Sequence, residues 1–328
     1  MTSAALQPPS AGSYQRHPLH QGERPWPETN CFADLWIEVL HSQGHDPLAS
    51  LGCTLAVDFE GDQFTFFKQS SGDLAALHGA DVQELNVWRP LHLHVEELVR
   101  RRRLVLAEVD AHWLPDTSGT DYRTQHTKTT IGIQSIDLRA ERVGYFHNAG
   151  YFDLEGADFR GVFGLDAAPD PARLPLYVEF LRLESLRLLP RQELLPLALE
   201  CTRAHLRRRP PENPVARFAA SFPTAIAGLG PDALATYHLY AFSTVRQLGS
   251  AADLGAHHLR WLQAAVPGAA LETAASALDD VSLSAKSLVL KGARAVSTGK
   301  RTDFAPLLAA MVSAWGTAMD AASDGLGV

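Results

Sequence analysis

The stretch "ETNCFADLWIEVL", residues 28–40, sets Cys31 ahead of Leu35, Trp36, Val39 and Leu40, apolar residues at helical spacing. Thr29 or Asn30 can cap that helix, which leaves Cys31 in its first turn. Unbonded N–H groups and the positive end of the helix dipole gather there, and both favour a thiolate. A thiolate is the nucleophilic form of cysteine, and the same N–H groups could hold an oxyanion. The bland alternative is a small apolar residue tucked under a helix start.

A base must come from elsewhere. "DYRTQHTKTTIGIQSIDLRAERVGYFHNAG" offers His126 just before a strand, then a short turn and a second strand ending in His147-Asn148. Such a pair sets a His at the start of one strand beside a residue near the end of its neighbour. An amide or carboxylate there can accept from the imidazole N–H and fix its tautomer. Asn148 is the expected orienting residue, with Asp137 ranked second because it sits at the turn. Asp110, in "EVDAHWLPD", is either a partner for a substrate amine or a strand-end turn former.

His41 with His45, and His92 with His94, Glu96 and Glu97, resemble metal half-sites, but a catalytic zinc needs three protein ligands. No third ligand is evident, so no metal is expected. "GLGPDAL" lacks the Lys-Ser/Thr pair of a phosphate loop, so no nucleotide is expected either. Cys53 and Cys201 sit among apolar neighbours and read as core. The runs Arg100–Arg103 and Arg207–Arg209 come where helices stop, and cations there suit the negative dipole end.

These groups need a frame. Residues 53–68 read as a hairpin, 70–79 and 89–103 as helices, and 104–114, 127–138 and 142–150 as strands. "LDAAPDPARLP", residues 165–175, is a linker, and Leu/Ala/Arg-rich helical spacing follows. The expected organisation is a disordered or extended arm over 1–27, an α+β domain over 28–168, and a helical domain or lid over 169–328. The first 27 residues have no apolar core of a secretory signal, and no run is apolar enough to span a membrane. Three widely spaced cysteines suit free thiols in a reducing cytoplasm, and a net charge of −8 argues against nucleic-acid binding.

Cysteine at the head of the first long helix, His opening a strand and Asn closing the next: that order resembles papain-like cysteine enzymes. More closely, "ETNCFADLWIEVL", "LVLAEVDAHWLPD" and "HTKTTIGIQSIDLRAERVGYFHNAGY" resemble a bacterial family related to the N-terminal domain of the butirosin-biosynthesis acyltransferase. Similarity to that family continues through "YHLYAFSTVRQLG" and "SAKSLVLKGARAV". The resemblance implies a papain-like α+β domain followed by a mostly helical one, and acyl transfer, aminoacyl above all, from a carrier-protein thioester to a small-molecule amine or thiol. Cys31 then matches the nucleophile, His126 the base and Asn148 the orienting residue. The donor would be the phosphopantetheine arm of the partner carrier, with no cofactor of the enzyme's own. Carrier proteins are acidic around that arm, which makes Arg101 and Arg103 the expected docking residues. The rival readings are a thioesterase, peptidase or amidase using the same site, and a non-catalytic carrier-binding module. One departure stands out: papain-like proteases keep a Gln shortly before the Cys as an oxyanion donor, and "ERPWPET" has none, so either Asn30 or the Cys31 backbone N–H substitutes, or the second donor lies elsewhere.

Overall fold

The computed structural model describes residues 9–166 and 176–328, so most of the expected linker lies outside the described residues. The chain divides into two compact units, one of residues 1–22, 30–47 and 71–188, the other of 23–29, 48–70 and 189–328. Of the hairpin expected over 53–68, only two-residue strands form, β1 (Phe59–Glu60) and β2 (Gln63–Phe64), after a 3-10 stretch at Pro47–Ala56.

The first unit holds a six-stranded sheet, β3 (Asp81–Glu84), β4 (Arg103–Asp110), β5 (Lys128–Asp137), β6 (Arg142–His147), β7 (Gly150–Glu155) and β8 (Val178–Arg182). The spatial order is β3-β8-β4-β5-β6-β7, and every neighbouring pair is antiparallel. β8 lies past residue 168, the expected end of the α+β domain, yet this late strand sits between β3 and β4. Its Val178 belongs to one core cluster and its Leu181 to the other. A strand covered on both faces loses the polar alternation that would have marked it.

The two faces separate by parity along β4. Val105, Ala107 and Val109 join Val95 of α3 (Leu91–Arg100) and Phe159 of α4 (Ala157–Phe163). Leu104 and Leu106 join Leu35, Trp36, Val39 and Leu40 of α1 (Cys31–Ser42), with Leu74 of α2 (Ser71–His78). The unit is therefore helix, sheet, helix. Gly132 lets α1 lie close, since a Cβ there would come within 3.2 Å of Leu35 Cδ1.

The described part of the arm is ordered, against the expectation of a loose one. Pro18–His20 forms a 3-10 turn, and His17, Leu19 and His20 are buried. Asp34 and Glu38 place carboxylates on the covered side of α1, both fully buried. The arm supplies their partners. His20 Nε2 lies 3.2 Å from Asp34 Oδ1 and its Nδ1 contacts Glu38. Tyr14 donates to Glu38 at 2.6 Å, and the His17 backbone N–H at 3.1 Å. Buried carboxylates without such partners would cost several kcal/mol, on the order of 3 or more.

The second unit is built on helices α5 (Arg191–Arg208), α6 (Pro214–Ala227), α7 (Ala233–Ser243), α8 (Val245–Leu262), α9 (Ala270–Thr298) and α10 (Ala305–Leu326). Buried His258 of α8 ties the earlier segment in: its Nδ1–H donates to the Leu48 carbonyl at 2.8 Å, and its Nε2 lies 2.8 Å from Thr202 Oγ1. Cys53 is buried as expected, whereas Cys201 on α5 is only half-buried. No described helix is long and apolar enough to cross a membrane.

Candidate active site

Asn30 caps α1. Its backbone is extended (φ −134°, ψ 152°), and its side-chain oxygen accepts from the N–H of Phe32 at 3.1 Å and of Ala33 at 2.8 Å. Cys31 is the first helical residue and carries a half-buried free thiol. Because the cap occupies the Phe32 and Ala33 donors, the Cys31 N–H is the first-turn donor it leaves over. The cap engages the Asn30 oxygen, and the group of Asn30 that could donate to an oxyanion is its Nδ2 amide.

At the end of β4, Asp110 Oδ2 stands 2.6 Å from His126 Nδ1. The other Asp110 oxygen accepts from the His112 N–H at 3.0 Å, which fixes the carboxylate. The His112 ring stacks on His126 with centroids 4.4 Å apart and planes 12° apart. His126 Nε2 makes no hydrogen bond among the described residues, and the side chain is 71% exposed. Parity along β4 puts Asp110 on the α1 face of the sheet, with Leu104 and Leu106.

The direction of α1 follows from its far end. His45, just past the helix, lies Nδ1 to Nδ1 3.2 Å from His78, the last residue of α2. The chain then enters β3 at Asp81, which pairs with Arg182, which pairs with Arg103 at the start of β4. Leu35 sits over Gly132, whose partner on β4 is Leu106 at mid-strand. The N-terminus of α1, with Cys31, is thereby turned toward the end where β4 finishes at Asp110. No hydrogen bond joins the thiol to His126.

Asn148 is not brought to His126. It occupies the two-residue turn closed by the His147–Gly150 pair, with φ 42°, a left-handed value asparagine tolerates. The register Gly132 to Phe146 sets it level with residue 130, inside β5, whereas His126 precedes that strand and turns to Asp110. Its side chain makes no hydrogen bond among the described residues. Asp137 is farther still, at the opposite end of β5, where it accepts from the N–H groups of Ala140 (3.0 Å) and Arg139 (2.9 Å). Those two donors hold it below the usual carboxylate range.

Sequence reasoning missed a second polar cluster. His147 Nδ1 is 2.5 Å from Asp116, its Nε2 is 2.8 Å from Thr129 Oγ1, and the Tyr145 hydroxyl donates to Asp116 at 2.5 Å. The i, i+2 spacing of Tyr145 and His147 was the available signal, since it places both on one strand face. That face is the one away from α1, with Tyr145 in the α3 and α4 cluster. Burial, with Asp116 beside it, pushes the Tyr145 phenol far above its ordinary value.

The arginine run is engaged. Arg100 and Arg101 both pair with Glu97, and Arg103 with Glu184 at 2.5 Å. His45 belongs to the His78 contact, where burial pushes it down to about 4 and His78 to about 3. His94 accepts from the Trp88 N–H at 3.3 Å. Among the described residues no three His, Cys, Asp or Glu side chains are grouped to hold a metal ion.

An α+β domain bearing a cysteine at a helix start and an aspartate-held histidine, joined to a helical domain, defines a two-domain protein. The chain belongs to the DUF1839 family: the model of the DUF1839 N-terminal domain matches residues 15–183, and that of the DUF1839 C-terminal domain matches residues 191–324. The gap between those matches follows β8, so the late strand counts with the first domain. Comparison with curated proteins finds no match.

Proposed function

We propose that the protein is a cysteine-dependent acyltransferase of papain-like design. It moves an acyl group, aminoacyl above all, from a carrier-protein thioester to an amine or thiol acceptor in the cytoplasm. His126 Nε2 takes the Cys31 thiol proton, and the thiolate attacks the thioester carbonyl. The Cys31 N–H faces the oxyanion. The intermediate collapses by breaking the carbonyl–sulfur bond to the carrier, whose pantetheine thiolate takes the proton from His126. An acceptor amine then attacks acyl-Cys31 and gives its proton to His126, and the Cys31 thiolate leaves. Exchange between thioesters is nearly isoenergetic and amide formation is downhill, so neither step calls for a nucleotide.

The observation that supports this most is the 2.6 Å contact of Asp110 with His126 Nδ1, which leaves Nε2 unbonded at the end of the sheet toward which α1 starts. The orienting group in this proposal is Asp110 on β4 rather than Asn148 after β6, a departure from the order the papain-like resemblance implied. Kinship with the butirosin-biosynthesis acyltransferase remains part of the proposal, resting on the sequence resemblance. Hydrolysis at the same site is the second reading, favoured by the 71% exposure of His126, which admits water.

Incubation with an acyl-pantetheine thioester tests it. The expected result is a covalent adduct on Cys31 by intact mass, absent in Cys31→Ala, and converted to an amide when an amine is added. Free acid as the sole product, with amines present, selects the hydrolase. An adduct that persists in Cys31→Ala, or neither adduct nor product in the wild type, sinks both.

A further inference from the structure

We propose that a cavity at the β7 edge of the sheet binds a free α-amino acid as a zwitterion. The cavity, about 420 Å³, is walled by Tyr14 and Arg16 of the arm, Asp116 of the β4–β5 connection, and Tyr151, Phe152 and Asp153 of β7. Its volume is that of a small-ligand site. It lies at the same end of the sheet as Asp110, because β6 finishes and β7 begins there.

Its charges select the ligand. The Arg16 guanidinium makes no hydrogen bond among the described residues. It lies over the β6–β7 turn: a Cβ on Gly150 would stand 2.9 Å from the Phe152 ring and 3.5 Å from Arg16 Nε. Glycine there keeps that space open. Asp116 is nearly buried, accepting from Tyr145 and His147. Asp153 is 28% exposed and paired with Arg142 at 2.6 Å. A plain anion would meet Arg16 but be opposed by two carboxylates, and a plain cation would be opposed by Arg16. A zwitterion satisfies both, its carboxylate on the planar guanidinium fork and its ammonium toward Asp116 and Asp153. Tyr14, Tyr151 and Phe152 give the amino-acid side chain an aromatic wall.

Resting on the acyl-transfer reading, an amino acid released from this site, once its ammonium has given one proton to solvent, is the amine that attacks acyl-Cys31; the binding itself needs no Cys31. Calorimetric titration of the full chain uses L-phenylalanine, L-leucine and L-serine as probes, with phenylalaninamide lacking the carboxylate and 3-phenylpropionate lacking the ammonium. At least one amino acid binds, and the phenylalanine analogues bind about tenfold more weakly than phenylalanine or not at all. Arg16→Gln, at an exposed position, keeps the wild-type melting temperature and loses about tenfold or more in affinity. Cys31→Ala binds as the wild type does. Absence of binding by all three amino acids at millimolar concentration overturns the proposal. So does unchanged affinity in Arg16→Gln, or 3-phenylpropionate binding as well as phenylalanine. A Cys31 adduct formed in a protein that binds no amino acid removes this site and leaves acyl transfer standing; amino-acid binding without an adduct does the reverse.

Discussion

Asp110 Oδ2 and His126 Nδ1 are 2.6 Å apart, joined across the connection that leads from β4 to β5. A carboxylate in that position holds the ring in the tautomer whose Nε2 can accept a proton, and steadies the imidazolium that follows. Asp110→Asn keeps the shape and reverses the hydrogen-bond preference. Its acylation by acyl-pantetheine is expected to slow about 10- to 100-fold, and that of His126→Ala about 100-fold or more. Asn148→Gly retains near-wild-type acylation, because glycine also accepts the φ of 42° at that turn. A large loss in Asn148→Gly with activity kept in Asp110→Asn would return the orienting role to Asn148.

How far the sequence carried this is uneven. The capped start of α1 and the strand pair behind His126 were legible, because both are local patterns of period 3.6 and 2. The orienting residue was not. It depends on register, and β5 and β6 shift register between Ile133 and Ser135 while residues 111–127 form a long irregular connection. His126 precedes β5, so it lies beyond the ladder with β6 and falls back toward Asp110, on the other neighbour. The arm failed for another reason: nothing local marks Asp34 and Glu38 as buried, and only the tertiary structure places them against His20.

That buried cluster gives stability a pH dependence. Burial alone would lower the His20 value, but contacts with Asp34 and Glu38 outweigh it and push His20 up to about 9. A group raised on folding contributes stability that is full below the ordinary histidine value and is lost as pH rises through its folded value. Urea unfolding of the wild type should therefore lose on the order of 3 kcal/mol between about pH 6.5 and 9. His20→Gln should be less stable at pH 6 and show a flatter profile over that window. A wild-type profile as flat as the variant's would remove the ionised His20.

The three cysteines should separate by position. Cys31, half-buried in a first turn, contributes little packing, so Cys31→Ala should melt within a few degrees of the wild type while forming no adduct. Buried Cys53→Ala should cost about 1 kcal/mol in denaturant unfolding and still be acylated at Cys31. Half-buried Cys201→Ala should cost less than Cys53→Ala. Loss of the adduct in either of these two variants would move the nucleophile.

Carrier docking can be tested on the arginine run, and its members should now behave differently. Arg101 is 65% exposed and shares Glu97 with Arg100, so its side chain can turn to an acidic partner at small cost. Arg103 is 19% exposed and held by Glu184, so Arg103→Glu sets two like charges together and should lower the melting temperature whatever the donor. Exposed charges across an interface speed encounter and are screened by salt. Arg101→Glu should therefore raise KM for a carrier-bound acyl donor several-fold, with the effect fading at high salt, and leave an acyl-pantetheine donor unchanged. Equal losses with both donors would mean that Arg101 acts on the fold or the chemistry. Equal activity with both would leave it a solvated helix end paired with Glu97.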